Sequence, residues 1–163
     1  MGVDVFISYP HEDKAVADAA CAALEASGVH CWIAPRDILP GTEWSAAVVQ
    51  AIEQCRTMIM IYSRHANDSQ QIHRELDLAS GKGIPVLPIR VEDVQLADGL
   101  KYFLGSVQWF DALSPPLEEH LKALGTVVNA LLQGKPGNGQ SREQARTAPD
   151  PIQPRGRQED PSG

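Results

Sequence analysis

Along residues 1–133, short runs of apolar and β-branched residues alternate with longer stretches whose apolar positions recur three and four residues apart. The short runs read as strands and the longer ones as amphipathic helices. Strands are expected at residues 3–9, 29–33, 57–62, 84–91 and 106–110. Between the first two, Val16, Ala20, Ala23 and Leu24 share a helical face over residues 12–27, and Gly28 closes it. Trp44, Val48, Ala51, Ile52 and Cys55 repeat at helical spacing after a loop at 35–41 that has prolines near both ends. Residues 63–68 are polar and loop-like; Asp68 or Ser69 then caps a helix running to about residue 80, where Gly81 and Gly83 end it. Pro85 and Pro88 suggest that the fourth strand is twisted or lies near an edge of the sheet. The last helix takes Ser114 as cap and Pro115 as first residue, with Leu117, Leu121, Leu124, Val128 and Leu131 on one face. Strand and helix in alternation predict an α/β fold: a five-stranded parallel sheet with helices on both faces.

Composition sets the limits of that domain. From Gly134 onward glycine and proline dominate and Ile152 is the only large apolar residue, so 1–133 is expected to be the folded domain and 134–163 a disordered tail or linker. The whole chain carries a net charge of -7. That excess opposes sequence-independent binding to nucleic acid or to an anionic membrane, and favours a compact ligand or a protein partner. Cys21, Cys31 and Cys55 are odd in number and lack CxxC spacing, which gives neither a disulfide framework nor a zinc knuckle. His11, His30, His65, His73 and His120 have no ligand spacing and read as surface or loop residues, so no metal is implied. With no leader-like N-terminus and no long apolar run, a cytoplasmic protein with reduced thiols is expected.

Ligands of open parallel sheets bind beyond the carboxyl ends of the strands. Here those positions hold Ser8 and Tyr9, residues 34–37, and Ser63 and Arg64. A phosphate-accepting receiver would need acidic residues after the first and third strands, and neither a Walker loop nor a GxGxxG follows the first strand. Both readings are excluded. The sharper signal is Glu75. Ile72, Glu75, Leu76 and Ala79 form an i, i+3, i+4, i+7 stripe, which places a carboxylate on the seam that faces the sheet. Burying a charge there is costly unless hydrogen bonds, the helix terminus or function compensate. The alternative is that Glu75 stands at the edge of the stripe and pairs in solvent with Arg74, Arg64 or Lys82.

Three blocks, VFISYPHEDKAVA, GVHCWIAPRDILPG and CRTMIMIYSRHANDSQQIHRELDLA, occur in an order and spacing that resemble a Toll/interleukin-1 receptor (TIR) domain of the kind common in bacteria. The resemblance covers roughly residues 1–133 and implies a flavodoxin-like three-layer sandwich. Many such domains are NAD+ glycohydrolases or cyclases with a catalytic glutamate in the third helix, which aligns with Glu75. The resemblance thus implies cleavage of NAD+ as substrate, with no cofactor. In that chemistry a neutral base leaves a cationic pyridinium, no general acid is required, and an anion steadies the oxocarbenium-like centre. Water then gives ADP-ribose, and attack by an adenine atom gives a cyclic product. Ser8, Tyr9, Trp32, Arg36, Asp37 and Ser63 are expected to line one cleft, with Arg36 offered to a pyrophosphate and Trp32 to a ring. Each has a plainer alternative: Arg36 tied to Asp37 in a solvated loop, Trp32 in the core, Ser8 and Ser63 capping local turns. Several relatives carry tryptophan where this chain has Gln71, and some animal enzymes an acidic residue where it has Ala34.

The resemblance also implies a function of a different class, pairing with other TIR domains as an adaptor or effector. Its handle is the loop at 34–44, with Pro35, Ile38, Leu39, Pro40 and Gly41, through which homo-oligomers are expected. The prolines restrict that loop and Gly41 permits a sharp turn, which suits a docking element.

Overall fold

The computed structural model describes residues 2–134. The chain divides into two units, Met1–Thr126 and Val127–Gly163, whose described residues are 2–126 and 127–134. In the first unit five parallel strands, β1 (Val5–Ser8), β2 (Cys31–Trp32), β3 (Thr57–Tyr62), β4 (Val86–Arg90) and β5 (Phe110–Asp111), form one sheet in the order β2-β1-β3-β4-β5. Among the described residues a 3-10 turn (His11–Asp13) and six α-helices connect and follow them: α1 (Lys14–Ala26), α2 (Trp44–Gln54), α3 (Arg64–Asn67), α4 (Gln70–Gly81), α5 (Asp98–Leu104) and α6 (Leu117–Leu132). α6 runs across the division, and in the second unit the described residues 127–134 carry its last turns and a closing bond from the Gly134 amide to the Leu131 carbonyl.

The central strands are apolar on both faces because helices cover both, as a parallel sheet requires. Phe6, Met58, Met60 and Tyr62 face a core supplied by Val48, Ala51 and Ile52 of α2, Ile72, Leu76 and Ala79 of α4, and Leu100 and Leu104 of α5. Val5, Ile7, Ile59 and Ile61 alternate with them and are buried on the other side. α1 packs there, burying Ala17, Ala20, Cys21 and Leu24. The face expected from Val16, Ala20, Ala23 and Leu24 is therefore turned by one residue, which brings Cys21 inward.

Further expectations are corrected. α5 was not anticipated, although Leu100 and Leu104 stand one turn apart and both are buried. It ends at Leu104 with Gly105 as its cap, and the fifth strand is Phe110–Asp111 rather than residues 106–110. One expectation holds: β4 lies near an edge of the sheet, between β3 and the edge strand β5, and β5 pairs only with Ile89 and Arg90, so Pro88 stands outside that ladder. Within the supposed loop 63–68, Ser63 accepts the His65 amide at 3.1 Å and starts α3. The last helix begins at Leu117 rather than Pro115, because a residue followed by proline is kept from helical geometry. His73 is not a surface or loop residue either: its Nε2 is buried with no hydrogen-bond partner among the described residues, and its ring lies 3.1 Å from where a Cβ on Gly99 would stand. The expected tail lies outside the described residues except for Gly134.

Candidate active site

α4 begins at Ser69, whose hydroxyl accepts the Ile72 amide at 3.1 Å. Once that start is fixed, the helical period sends Ile72, Glu75, Leu76 and Ala79 to the sheet, and all four are buried. Glu75 is 4% exposed. Arg64 pairs with Glu92 and Lys82 with Glu53, so neither is the solvent partner considered above. Instead Ser8, at the carboxyl end of β1, donates its hydroxyl to Glu75 Oε1 at 2.7 Å, and Gln71, one turn earlier on α4, donates Nε2 to Oε2 at 3.1 Å. Burial pushes the Glu75 carboxyl up to about 7, against the opposing pull of Ser8, Gln71 and the Arg74 charge. A carboxylate poised near neutrality in a cleft is suited to chemistry in which it changes or uses its charge.

Glu75 opens on a cavity of about 170 Å³ between α2 and α4, walled by Trp44, Ser45, Val48 and Val49 on one side and Gln71, Arg74 and Leu78 on the other. A second cavity of about 220 Å³ shares Trp44 and Gln71 and continues past Tyr9, His11, Lys14, Ala34 and Pro35. Each alone is smaller than the roughly 300 Å³ at which small-molecule sites begin, and their shared wall makes one elongated groove the natural binding space. Trp44 was expected in the apolar stripe of its helix but is 52% exposed. Its position at the first residue of α2, directly after the loop, accounts for the difference.

The other anticipated residues do not converge on one cleft. Ser8 touches Glu75, and Tyr9 lines the second cavity with its hydroxyl donated to the Ala34 carbonyl. Arg36 is turned away: Nη1 and Nη2 grip the two Glu25 oxygens at 3.0 and 2.8 Å, and Nη2 also meets Asp37 at 2.8 Å. Asp37 accepts the Ile33 amide at 2.9 Å and so staples the start of the loop. Trp32 stacks on Phe6 with ring centroids 5.2 Å apart and faces a separate cavity with Asp37 and Leu39. Ser63 donates to Asp13 and lines a larger, more open cavity of about 380 Å³ beyond the strand ends. Sequence reasoning also passed over residues that do line the groove, among them Trp44, Ser45, Lys14 and Arg74. The signal for Trp44 was available, an aromatic residue at a loop-to-helix junction. For the others, spacing carries no signal.

The loop is internally braced by amide-to-carbonyl bonds from Asp37 to Ile33, Ile38 to Pro35 and Thr42 to Leu39. Gly41 has φ +83°, a conformation that favours glycine. At its tip Leu39 is 70% exposed. Among the described residues no helix is long and apolar enough to cross a membrane.

A family model described as "TIR domain" matches residues 5–125. Among solved structures, the chain is similar to the TIR domain of the Toll-related receptor TRR-2 from the lower metazoan Hydra magnipapillata, with 21% identity and a TM-score of 0.65 over 78% of this chain and 98% of that one. It is similar to the TIR domains of the activated Roq1 resistosome, with 16% identity and a TM-score of 0.60 over 75% of this chain and 96% of that one. A metazoan TIR-STING receptor from C. gigas matches at 24% identity and a TM-score of 0.59, over 74% of this chain and 39% of that one. No curated protein matches.

Proposed function

Because the chain belongs to the TIR domain family, we propose that it is an NAD+ glycohydrolase that cleaves the nicotinamide–ribose bond with Glu75 as its catalytic carboxylate. The observation that carries this reading is the buried Glu75 side chain, hydrogen-bonded by Ser8 and Gln71 and facing a cavity with Trp44 in its wall. A structural carboxylate gains nothing from burial at that point of an apolar stripe. A catalytic one gains a setting in which its charge is weakly screened, and there it can stabilise positive charge developing on the ribose carbon.

The pyridinium of NAD+ leaves as a neutral base, so the site has to supply an anion and orientation rather than a proton. Ionised Glu75 faces the sugar carbon and accepts from ribose hydroxyls; Trp44 offers an aromatic face to the leaving ring; Arg74 in the wall of the first cavity, and Lys14 in that of the second, where it also pairs with Asp18 at 2.7 Å, are the cations offered to the pyrophosphate. Water completes the reaction to ADP-ribose, or an adenine atom closes a cyclic product. NAD+ is substrate throughout.

Self-association belongs to the same proposal. The braced loop with exposed Leu39 at its tip supports a docking role, and a pairing module without catalysis is the second reading it favours. We place the protein in the cytoplasm, where NAD+ is abundant. Incubating the full chain with NAD+ over a range of protein concentrations and following nicotinamide tests the proposal. Equimolar nicotinamide and ADP-ribose products are expected, with rates rising faster than linearly with protein. No release at any concentration leaves the pairing module alone.

A further inference from the structure

The rotation of α1 that brings Cys21 inward sets it against Cys31 on the edge strand β2. The two residues are 3% and 2% exposed. Their sulfurs and a Glu25 carboxylate oxygen all lie within 4.8 Å of one another. The Cys31 thiol donates to the Val29 carbonyl at 3.8 Å, and the nearness of Cys31, with help from the Arg36 guanidinium, holds Cys21 below the ordinary thiol range. The nearness of Cys21, together with burial, pushes Cys31 upward. The two thiols are thus shifted in opposite directions, Cys21 toward the thiolate and Cys31 toward the protonated form, the difference an attacking and a resolving cysteine need. Cys55 differs: it lies in the core on the opposite face of the sheet, its thiol donates to the Ile52 carbonyl at 3.2 Å, and burial pushes it up to about 11.

We propose that Cys21 and Cys31 form a dithiol–disulfide pair, with Cys21 the nucleophile and Cys31 the resolving thiol, oxidised by peroxide. The Cys21 thiolate attacks one oxygen of hydrogen peroxide, forming an S–O bond and releasing hydroxide as the O–O bond breaks. Cys31 sulfur then attacks the Cys21 sulfenic acid; its thiol proton and the departing hydroxyl leave as water, and the S–S bond forms. Two electrons pass from the two sulfurs to one peroxide. A metal at the same cluster is disfavoured because both Glu25 oxygens are already held by Arg36, which a cation would have to displace. Arg36 also donates to the Cys31 carbonyl at 3.1 Å. The bridge would therefore join α1 to the strand that leads into the loop at the point where that loop is anchored.

The test treats the full chain with hydrogen peroxide, then denatures it, alkylates the remaining thiols and maps the peptides after cleavage at Glu25, which separates the two cysteines. A loss of two hydrogens with a Cys21–Cys31 cross-link and alkylated Cys55 is expected. Cys31→Ser should stop Cys21 at a sulfenic acid captured by dimedone, and Cys21→Ser should leave Cys31 reduced. Oxidation of Cys55 as fast as Cys21, sulfenic acid on Cys31 in the Cys21→Ser chain, or no oxidation short of unfolding would overturn the proposal. So would protection of both thiols by zinc that a chelator reverses, since that outcome marks a metal site. The wild-type cross-link is decisive even if a variant fails to fold, and none of these readouts depends on NAD+ cleavage.

Discussion

Glu75 carries two hydrogen bonds, and each favours its ionised form. Ser8→Ala removes the 2.7 Å bond from the side with no other donor named to Oε1. Hydrogen bonds to charged groups are worth about 1.5–3 kcal/mol, so the carboxyl should titrate about one unit or more higher. In the pH profile of kcat/KM for nicotinamide release, the ascending limb of the wild type should fall near 7 and that of Ser8→Ala above it. An unchanged limb with a uniformly lower rate would show that Ser8 acts on substrate and not on Glu75. Legibility at this scale followed the helical period. Glu75 could be placed on the sheet-facing seam because a four-residue pattern fixes orientation, and the tie of Arg36 to its neighbour Asp37 was also legible, whereas its second partner, Glu25, is eleven residues away on another element. Trp32 and Ser63 likewise found partners, Phe6 and Asp13, that no spacing announces.

Among the elements, α4 matters most, since it carries Gln71 and Glu75 and shares the groove with α2. Its first turn depends on the Ser69 cap. Ser69→Ala should cost about 1 kcal/mol of stability in denaturant unfolding and, by fraying the turn that holds Gln71, should lower turnover as well. Full turnover in a destabilised variant would separate the cap from the site. The loop after β2 is the second element with a defined role. Leu39→Asp should abolish self-association measured by sedimentation while leaving thermal unfolding within about 0.5 kcal/mol of wild type, because the side chain is exposed. The first four strands and the four long helices were legible because their apolar periods run for several turns or the length of a strand, whereas the fifth strand is only Phe110–Asp111. α3 and α5 were not, since four and seven residues give a period too little room to repeat. Their starts and stops are set by Ser63, by Gly105 and by packing against strands distant in sequence.

For the whole molecule, the buried carboxyl leaves a pH signature on stability. Its folded value, about 7, lies above the unfolded 4.5, so between these pH values the folded chain binds more protons than the unfolded one. Stability contributed by this group is therefore fully present below 4.5 and is lost as pH rises through about 7, a span worth about 3 kcal/mol. Chemical unfolding at pH 5 and pH 8 should show that loss in the wild type and not in Glu75→Gln. The same substitution makes the most direct test of the central claim, because it keeps the shape of the side chain and removes only its charge. With circular dichroism and self-association matched to wild type, nicotinamide release from NAD+ by Glu75→Gln should fall on the order of a hundredfold or more. Release at the wild-type rate by a folded, assembling Glu75→Gln chain would contradict the account.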